Sequence, residues 1–255
     1  MKQFLKKIAN PRLTWAYRYY KYPQFFDVVG APLTFKKDGL YTKHNSDTLQ
    51  NPLFVEAYKL AKATGSFQGA WGQVDPEYRA YIYCWSAFHC KTIPGDYVEC
   101  GVNKGGMARA AIHYTGFTSA TPKKFFLLDT YQGTPTHCLA EDETSRNKYE
   151  ECYDQVVANF SEFKNVVIVK GEVPATLPKV TSEQICFLSL DMNALAPEIA
   201  AIEYFWAKLS SGGIVVLDDY NNIGHERQKR GFDEFCLKHG KQVLSLPTGQ
   251  GLIYK

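Results

Sequence analysis

An α/β fold with a mostly parallel sheet, covered on both faces, is what the sequence predicts, and three observations predict it. First, short apolar runs that read as strands recur from Pro94 onward, at residues 97–100, 125–129, 166–170, 185–191, 214–218, 242–246 and 251–254. Helical stretches separate the first five, the alternation expected of a parallel sheet. Second, Cys186-Phe-Leu-Ser-Leu-Asp191 and Ile214-Val-Val-Leu-Asp218-Asp219-Tyr220 each break off in aspartate. Buried parallel strands look like this where their C-terminal ends open into a site. Third, residues 197–209 between them form an amphipathic helical pattern stopped by Ser210-Ser-Gly-Gly213. Strand, helix and strand in that space make a βαβ unit whose strands neighbour each other. Only Pro247-Thr-Gly-Gln-Gly251 separates the last two strands, which permits an antiparallel hairpin and no crossover helix.

Ahead of this regular part, residues 1 to about 92 read as mostly helical and irregular, punctuated by Pro11, Pro23, Pro32, Pro52 and Pro76. Pro52 to Ala63 reads as a helix with proline in its first turn. A second helix begins at Asp75-Pro-Glu-Tyr, with Asp75 as N-cap and Pro76 at the first helical position. The expected division is an N-terminal arm and lid over 1–74 and an α/β domain over 75–255.

Bulk composition sets limits. The 255 residues suit one α/β domain with a modest extra segment, and 45% hydrophobic content supports a sizeable core. No segment approaches the roughly 20 apolar residues of a membrane span. The start, Met1-Lys-Gln-Phe-Leu-Lys-Lys-Ile, is too short in its apolar part for a secretory signal. Seven cysteines without a CxxC pair read as reduced thiols, so the expected compartment is the cytoplasm and the sequon Asn159-Phe-Ser161 is discounted. A net charge of +3 gives no argument for nucleic acid. Lys2, Lys6, Lys7, Arg12, Arg18 and Lys21 are interleaved with Trp15, Tyr17, Tyr19 and Tyr20. That basic aromatic arm suits a membrane surface, a solvated helix face or an oligomer contact, and a homo-oligomer is expected.

Gly95-Asp-Tyr-Val-Glu99-Cys-Gly101-Val102-Asn-Lys-Gly105-Gly106-Met is strand, glycine-rich turn and helix. Such a turn lets backbone approach a ligand closely and presents the N–H groups of a helix start. Its spacing is neither the dinucleotide fingerprint nor a P-loop. Asp129 ends the next strand, where an acid can accept from both hydroxyls of a ribose. Glu99 is placed to meet the cationic end of an amino acid. A nucleoside at one end and a methionine-like zwitterion at the other describe S-adenosylmethionine. The packing alternatives are that Asp129 caps a helix and Glu99 serves a salt bridge. Three carboxylates brought together at the sheet edge, Asp191, Asp218 and Asp219, repel unless a cation joins them, which suggests a divalent metal; alternatively Asp218 and Asp219 cap the following loop.

Val98-Glu-Cys-Gly-Val102, Leu128-Asp-Thr-Tyr-Gln-Gly-Thr-Pro135, Lys170-Gly-Glu-Val-Pro-Ala-Thr-Leu-Pro178, Leu190-Asp-Met-Asn-Ala-Leu-Ala-Pro-Glu198 and Leu209-Ser-Ser-Gly-Gly-Ile-Val-Val-Leu-Asp-Asp-Tyr220 occur in this order. Over roughly residues 75 to 255 the chain resembles the macrocin O-methyltransferase (TylF-type) family, whose members methylate sugar hydroxyls of macrolides, aminocoumarins and related glycosides. The resemblance implies a Rossmann-like class I methyltransferase fold, with seven strands and a C-terminal antiparallel hairpin. It implies Mg²⁺ held by Asp191, Asp218 and Asp219, with Asp191 as catalytic base. The expected S-adenosylmethionine contacts are Glu99, Gly101, Val102, Gly105, Gly106, Asp129, Thr130, Gly171 and Glu172. One departure is Asp191-Met192-Asn193, where the family often has a second acid, followed by Leu195 where an aromatic is common.

His225 is a second candidate for the base or a substrate contact; as a residue before Glu226-Arg-Gln-Lys-Arg230 it also reads as a helix start. The polar stretch 134–148, with His137, reads as a lid over the acceptor, where specificity would reside. Trp71, Tyr131 and Tyr220 are candidate stacking surfaces for a sugar. The leading expectation is a sugar O-methyltransferase. Its competitors are a metal-dependent enzyme for catechol-like phenols, a nicotinamide oxidoreductase, and a non-catalytic binding module. The missing dinucleotide fingerprint disfavours the oxidoreductase, and the three aspartates disfavour the binding module.

Overall fold

The computed structural model of the chain describes residues 33–67, 75–138 and 149–255. The chain divides into two compact units, Met1–Thr48 and Leu49–Lys255. The basic arm, Trp71 and residues 139–148 of the expected lid lie outside the described residues.

In the smaller unit, β1 (Phe35–Lys37) and β2 (Leu40–Thr42) form an antiparallel hairpin. Asp38 and Gly39 make its two-residue turn with φ of 49° and 76°. Both values are positive, as a turn matched to the twist of a hairpin requires, and Asp-Gly supplies them cheaply. The sequence reading missed this hairpin because three-residue strands show too little alternation.

In the larger unit, α1 (Pro52–Ala63) begins where Asn51 accepts a hydrogen bond from the Leu53 N–H at 2.9 Å, with Pro52 inside the first turn. Helix α2 (Glu77–His89) starts one residue later than expected. Pro76 takes the cap position, and Asp75 accepts from the hydroxyl of Tyr58 in α1. Next come β3 (Asp96–Cys100), α3 (Gly106–Thr115), β4 (Phe125–Asp129), α4 (Tyr153–Phe160) and β5 (Val166–Lys170). The second half contains β6 (Ile185–Leu190), α5 (Leu195–Trp206), β7 (Leu209–Leu217), α6 (Glu226–Lys238), β8 (Leu244–Ser245) and β9 (Gly251–Tyr254).

Seven of these strands form one sheet in the order β5-β4-β3-β6-β7-β9-β8. The first five are parallel, and β9 runs antiparallel to both β7 and β8. Two expectations need correction. The crossover from β5 to β6 holds only a short 3-10 turn, Leu177–Lys179, since Pro174 and Pro178 interrupt any longer helix. Ser210-Ser-Gly-Gly213 does not lie in a connection; it belongs to β7, beside a register shift opposite residues 185–187 of β6.

Period-two alternation sends the sheet's side chains into two separate cores. Val98, Cys100, Phe126, Leu128, Leu188, Leu190, Val215 and Leu217 pack under Ile202, Phe205, Phe232 and Phe235 of α5 and α6. Tyr97, Phe125, Leu127, Phe187, Ile214 and Val216 pack on the other face with α2, α3 and α4. The small residues Ala108, Ala110 and Ala111 let α3 approach α1 closely. Chain order reverses between β3 and β6, where β3-β4-β5 extends one way and β6-β7 the other. Ligands of open α/β sheets bind beyond the strand ends at such a reversal.

Candidate functional site

Residues following β3, β4, β5 and β6 wall an open cleft at the C-terminal edge of the sheet. Gly101, Asp129, Thr130, Gly171, Glu172 and Asp191 line it, together with Asn103, Tyr149 and Asn193. At Gly101 the chain turns with φ of 89°, and a Cβ there would lie 1.8 Å from the carbonyl oxygen of Asp191. The first strand's turn and the catalytic candidate are thus in backbone contact.

Asp129 is anchored by the turn it faces. Its Oδ2 accepts from the N–H groups of Val102 at 2.6 Å and Asn103 at 2.8 Å, and its Oδ1 from the Tyr131 N–H at 2.7 Å. The Thr130 hydroxyl lies 3.2 Å from Oδ1 but only 2.6 Å from the Gly133 carbonyl oxygen, where its single proton goes. One oxygen of Asp129 therefore keeps acceptor capacity toward the cleft.

Four expected cofactor contacts are not among the residues lining the cleft. Gly105 starts α3 in a left-handed conformation, against the Phe160 ring. Gly106 donates its N–H to the Ser66 hydroxyl at 2.8 Å. Glu99 projects from β3 toward α2 and is 3% exposed, with the Tyr83 hydroxyl donating to it at 2.9 Å. Val102 is buried, and its N–H serves Asp129.

Asp191, Asp218 and Asp219 meet at the ends of β6 and β7, and each offers an oxygen within 4.8 Å of the others. Burial and the charges of Asp218 and Asp219 push Asp191 well above the usual carboxylate range. Burial and Asp218 also raise Asp219. Three hard oxygen donors crowded this closely fit a divalent cation of the Mg²⁺ or Mn²⁺ type, with no thiolate or imidazole among the three donors to favour zinc.

Around the cluster lie further polar residues, of which Arg79, Gln250 and Asn222 carry no signal in the local sequence. Arg79 of α2 donates to Asp218 Oδ2 at 2.6 Å, and Gln250 donates to its Oδ1 at 3.0 Å. Asn222 donates to Asp219. Asn193, held at φ of 56°, donates to Asp191 Oδ1 at 3.3 Å. Asparagine tolerates the left-handed region and adds a donor here, where an acid would have added a fourth negative charge. Glu198 in the first turn of α5 accepts from the Met192 N–H at 3.0 Å and so braces the loop after Asp191.

His225 occupies the N-cap position of α6, as its helix-start reading expects, and is buried. Its Nδ1 is 3.8 Å from Asp219 and 3.1 Å from the Gln228 amide. It does not line the cleft. Tyr131, which adjoins the cleft, and Tyr220 have little exposed surface. Both are buried, and their hydroxyls bond Leu127 and Asp233. His137 sits in a 3-10 turn and pairs with Glu172 at 3.2 Å.

Burial pushes Glu99 up to about 8, with Asp129 and Asp218 adding to it and the Tyr83 hydrogen bond acting against it. Burial pushes Glu198 up to about 8 as well, against the backbone N–H groups it accepts from. Both folded values lie above the unfolded one, so the stability tied to their protons is present at acid pH and is lost as pH rises from about 4.5 to about 8. The ligand-free protein should lose stability between pH 5 and 8, by an upper bound of about 3 kcal/mol per group at neutral pH. Urea midpoints across that range check this. Glu198→Gln should flatten the slope, and a rise in stability with pH would contradict the assignment.

A family model described as Macrocin-O-methyltransferase (TylF) matches residues 81–242. Among curated proteins, the 8-demethyl-8-(2,3-dimethoxy-alpha-L-rhamnosyl)-tetracenomycin-C 4'-O-methyltransferase of Streptomyces olivaceus is 27% identical over 154 residues, 54% of this chain and 58% of that protein. The mycinamicin III 3''-O-methyltransferase of Micromonospora griseorubida is 26% identical over 147 residues, 50% of this chain and 56% of that protein. The matches thus span little more than half the length of these relatives. Among solved structures, the O-methyltransferase NovP superposes with a TM-score of 0.64 at 18% identity, covering 81% of this chain and 99% of that one. The calicheamicin methyltransferase CalS11 superposes with a TM-score of 0.57 at 15% identity, covering 83% and 94%. These superpositions establish a Rossmann-like methyltransferase fold.

Proposed function

The chain belongs to the macrocin-O-methyltransferase (TylF) family, and from that premise we propose that it moves a methyl group from S-adenosylmethionine to a sugar hydroxyl of a glycosylated small molecule, with Mg²⁺ at Asp191, Asp218 and Asp219. The observation that carries this reading is the junction of the cleft with the aspartate cluster. Asp191 belongs to both, so a donor in the cleft and an acceptor oriented by the cluster would share it. The names of the two curated relatives support a sugar acceptor, since one includes a rhamnosyl tetracenomycin and the other mycinamicin III.

S-adenosylmethionine would supply an electrophilic methyl group, and the cation would supply positive charge that favours loss of a proton from the acceptor hydroxyl. The remaining work falls to the chain. Gly101 and its turn bring backbone to the cleft floor, and Asp129 presents its available oxygen to a ribose hydroxyl. Glu172 and Gly171 close the cleft beyond β5. Asp191 takes the acceptor's proton on a carboxylate oxygen, and Asn193 keeps that carboxylate oriented. Arg79 and Gln250 hold Asp218 from opposite oxygens. Transfer is an in-line displacement, so this positioning is a large part of the rate enhancement.

Calorimetric titration with S-adenosylhomocysteine, in Mg²⁺ and in chelator, tests the cofactor assignment. Micromolar binding is the expected result, followed by Mg²⁺-dependent turnover with glycoside acceptors. Absence of binding under both conditions would overturn the methyltransferase reading, and turnover with catechols alone would replace the acceptor class.

A further inference from the structure

We propose that Arg79 is a fixed internal cation that sets the charge of the aspartate cluster and thereby its selectivity for divalent ions. The inference rests on the divalent-cation reading of that cluster. Arg79 projects from the first turn of α2, 139 residues from Asp218 in sequence, and its side chain is 15% exposed. Its Nη1 lies 2.6 Å from Asp218 Oδ2 and 4.0 Å from Asp219 Oδ1. Gln250, fully buried, donates to the opposite oxygen of Asp218 at 3.0 Å, and its own carbonyl oxygen accepts from Thr248. The Gln250 amide also reaches the Arg79 carbonyl oxygen at 3.4 Å, which ties the two grips on Asp218 together.

Charge counting gives the consequence. Asp191, Asp218 and Asp219 carry three negative charges when ionised, and Arg79 offsets one. Among these four side chains two negative charges remain, which a divalent ion balances. The guanidinium cannot lose its proton, so this offset persists at every pH the folded protein reaches. It also repels an arriving ion in proportion to that ion's charge. Arg79 therefore weakens binding of all cations, and of trivalent ones most.

The test uses the full chain with Mn²⁺ and Tb³⁺ as probes, the first read by electron paramagnetic resonance and the second by sensitised luminescence. Arg79→Met, which keeps length and removes charge, should bind Mn²⁺ on the order of tenfold more tightly, a modest estimate for a unit charge a few ångströms from a divalent ion. Tb³⁺ should gain half as much again on a logarithmic scale, about thirtyfold. Arg79→Lys should keep the wild-type ratio of the two affinities. The metal-free melting temperature of Arg79→Met should fall and recover more on adding Mn²⁺ than the wild type gains. If Arg79→Met folds poorly, Arg79→Gln is read in the same way. Unchanged or weaker Mn²⁺ binding with an unchanged Tb³⁺ to Mn²⁺ ratio would overturn the charge role and leave Arg79 as a clamp on Asp218. A wild-type protein that binds neither ion would overturn the metal site itself, an outcome distinct from an insensitive variant.

Discussion

Asp191→Asn is expected to lower methyl transfer by about 10²–10⁴, the span a positioned general base contributes, with S-adenosylhomocysteine affinity unchanged. The substitution is nearly isosteric, so the backbone contact with Gly101 and the bond from the Asp191 N–H to the Cys100 carbonyl oxygen, at 2.9 Å, persist. What it removes is the carboxylate that faces the cleft. Asp191 is also a candidate cation ligand, so turnover alone does not separate two roles. Mn²⁺ affinity does: a loss of turnover far exceeding the loss of Mn²⁺ binding marks the base, and equal losses mark a ligand. His225→Asn provides the comparison. His225 faces Asp219 and Gln228 and does not line the cleft, so its loss should act modestly, through the orientation of Asp219. If His225→Asn removed turnover while Asp191→Asn retained it, the proton would have to leave through the histidine.

How far these residues were legible in the sequence follows from what kind of contact each makes. The strands and the hairpin at the C-terminus were readable because buried strands are short apolar runs, and Asp129, Asp191 and Asp218 stood out as the polar residues that end them. The aspartate cluster followed from the βαβ rule, which places β6 beside β7. Arg79 and Gln250 were not readable. Their contacts with Asp218 span 139 and 32 residues, and each residue looks ordinary among its neighbours. Gly105 and Gly106 show a second role that the sequence left hidden. The glycine-rich turn suggested ligand contact for all its glycines, whereas these two make room for Phe160, Ser66 and Phe67. A turn motif identifies which backbone is strained; only packing tells whether a ligand or a side chain occupies the space. The partner of Glu99 was hidden in the same way: period two turns it to the α2 face, where the Tyr83 hydroxyl donates to it.

Gly101→Ala should be the most damaging glycine-to-alanine substitution among the described residues. The φ of 89° lies where an L side chain is strained, and the added Cβ would meet Asp191 backbone atoms at 1.8 Å and 2.4 Å. Nothing flexible can move aside, because the clash is with the main chain at the end of β6. Strain of about 1–3 kcal/mol and overpacking of about 1–3 kcal/mol act together. For a domain of this size that corresponds to a fall in melting temperature of roughly 5–20 °C. Gly240→Ala is the matched control. Its φ of 62° is also left-handed, but nothing lies within 4 Å of the added carbon. It should cost only the conformational part, about 1–2 kcal/mol. The contrast separates close approach from backbone freedom. If β6 yields instead, Asp191 moves with it, and Gly101→Ala should fold yet lose Mn²⁺ affinity and turnover together. Equal melting temperatures for the two variants, with Mn²⁺ binding intact, would mean that the contact between the first turn and Asp191 is looser than 1.8 Å implies, and would remove the steric coupling between cofactor turn and catalytic base.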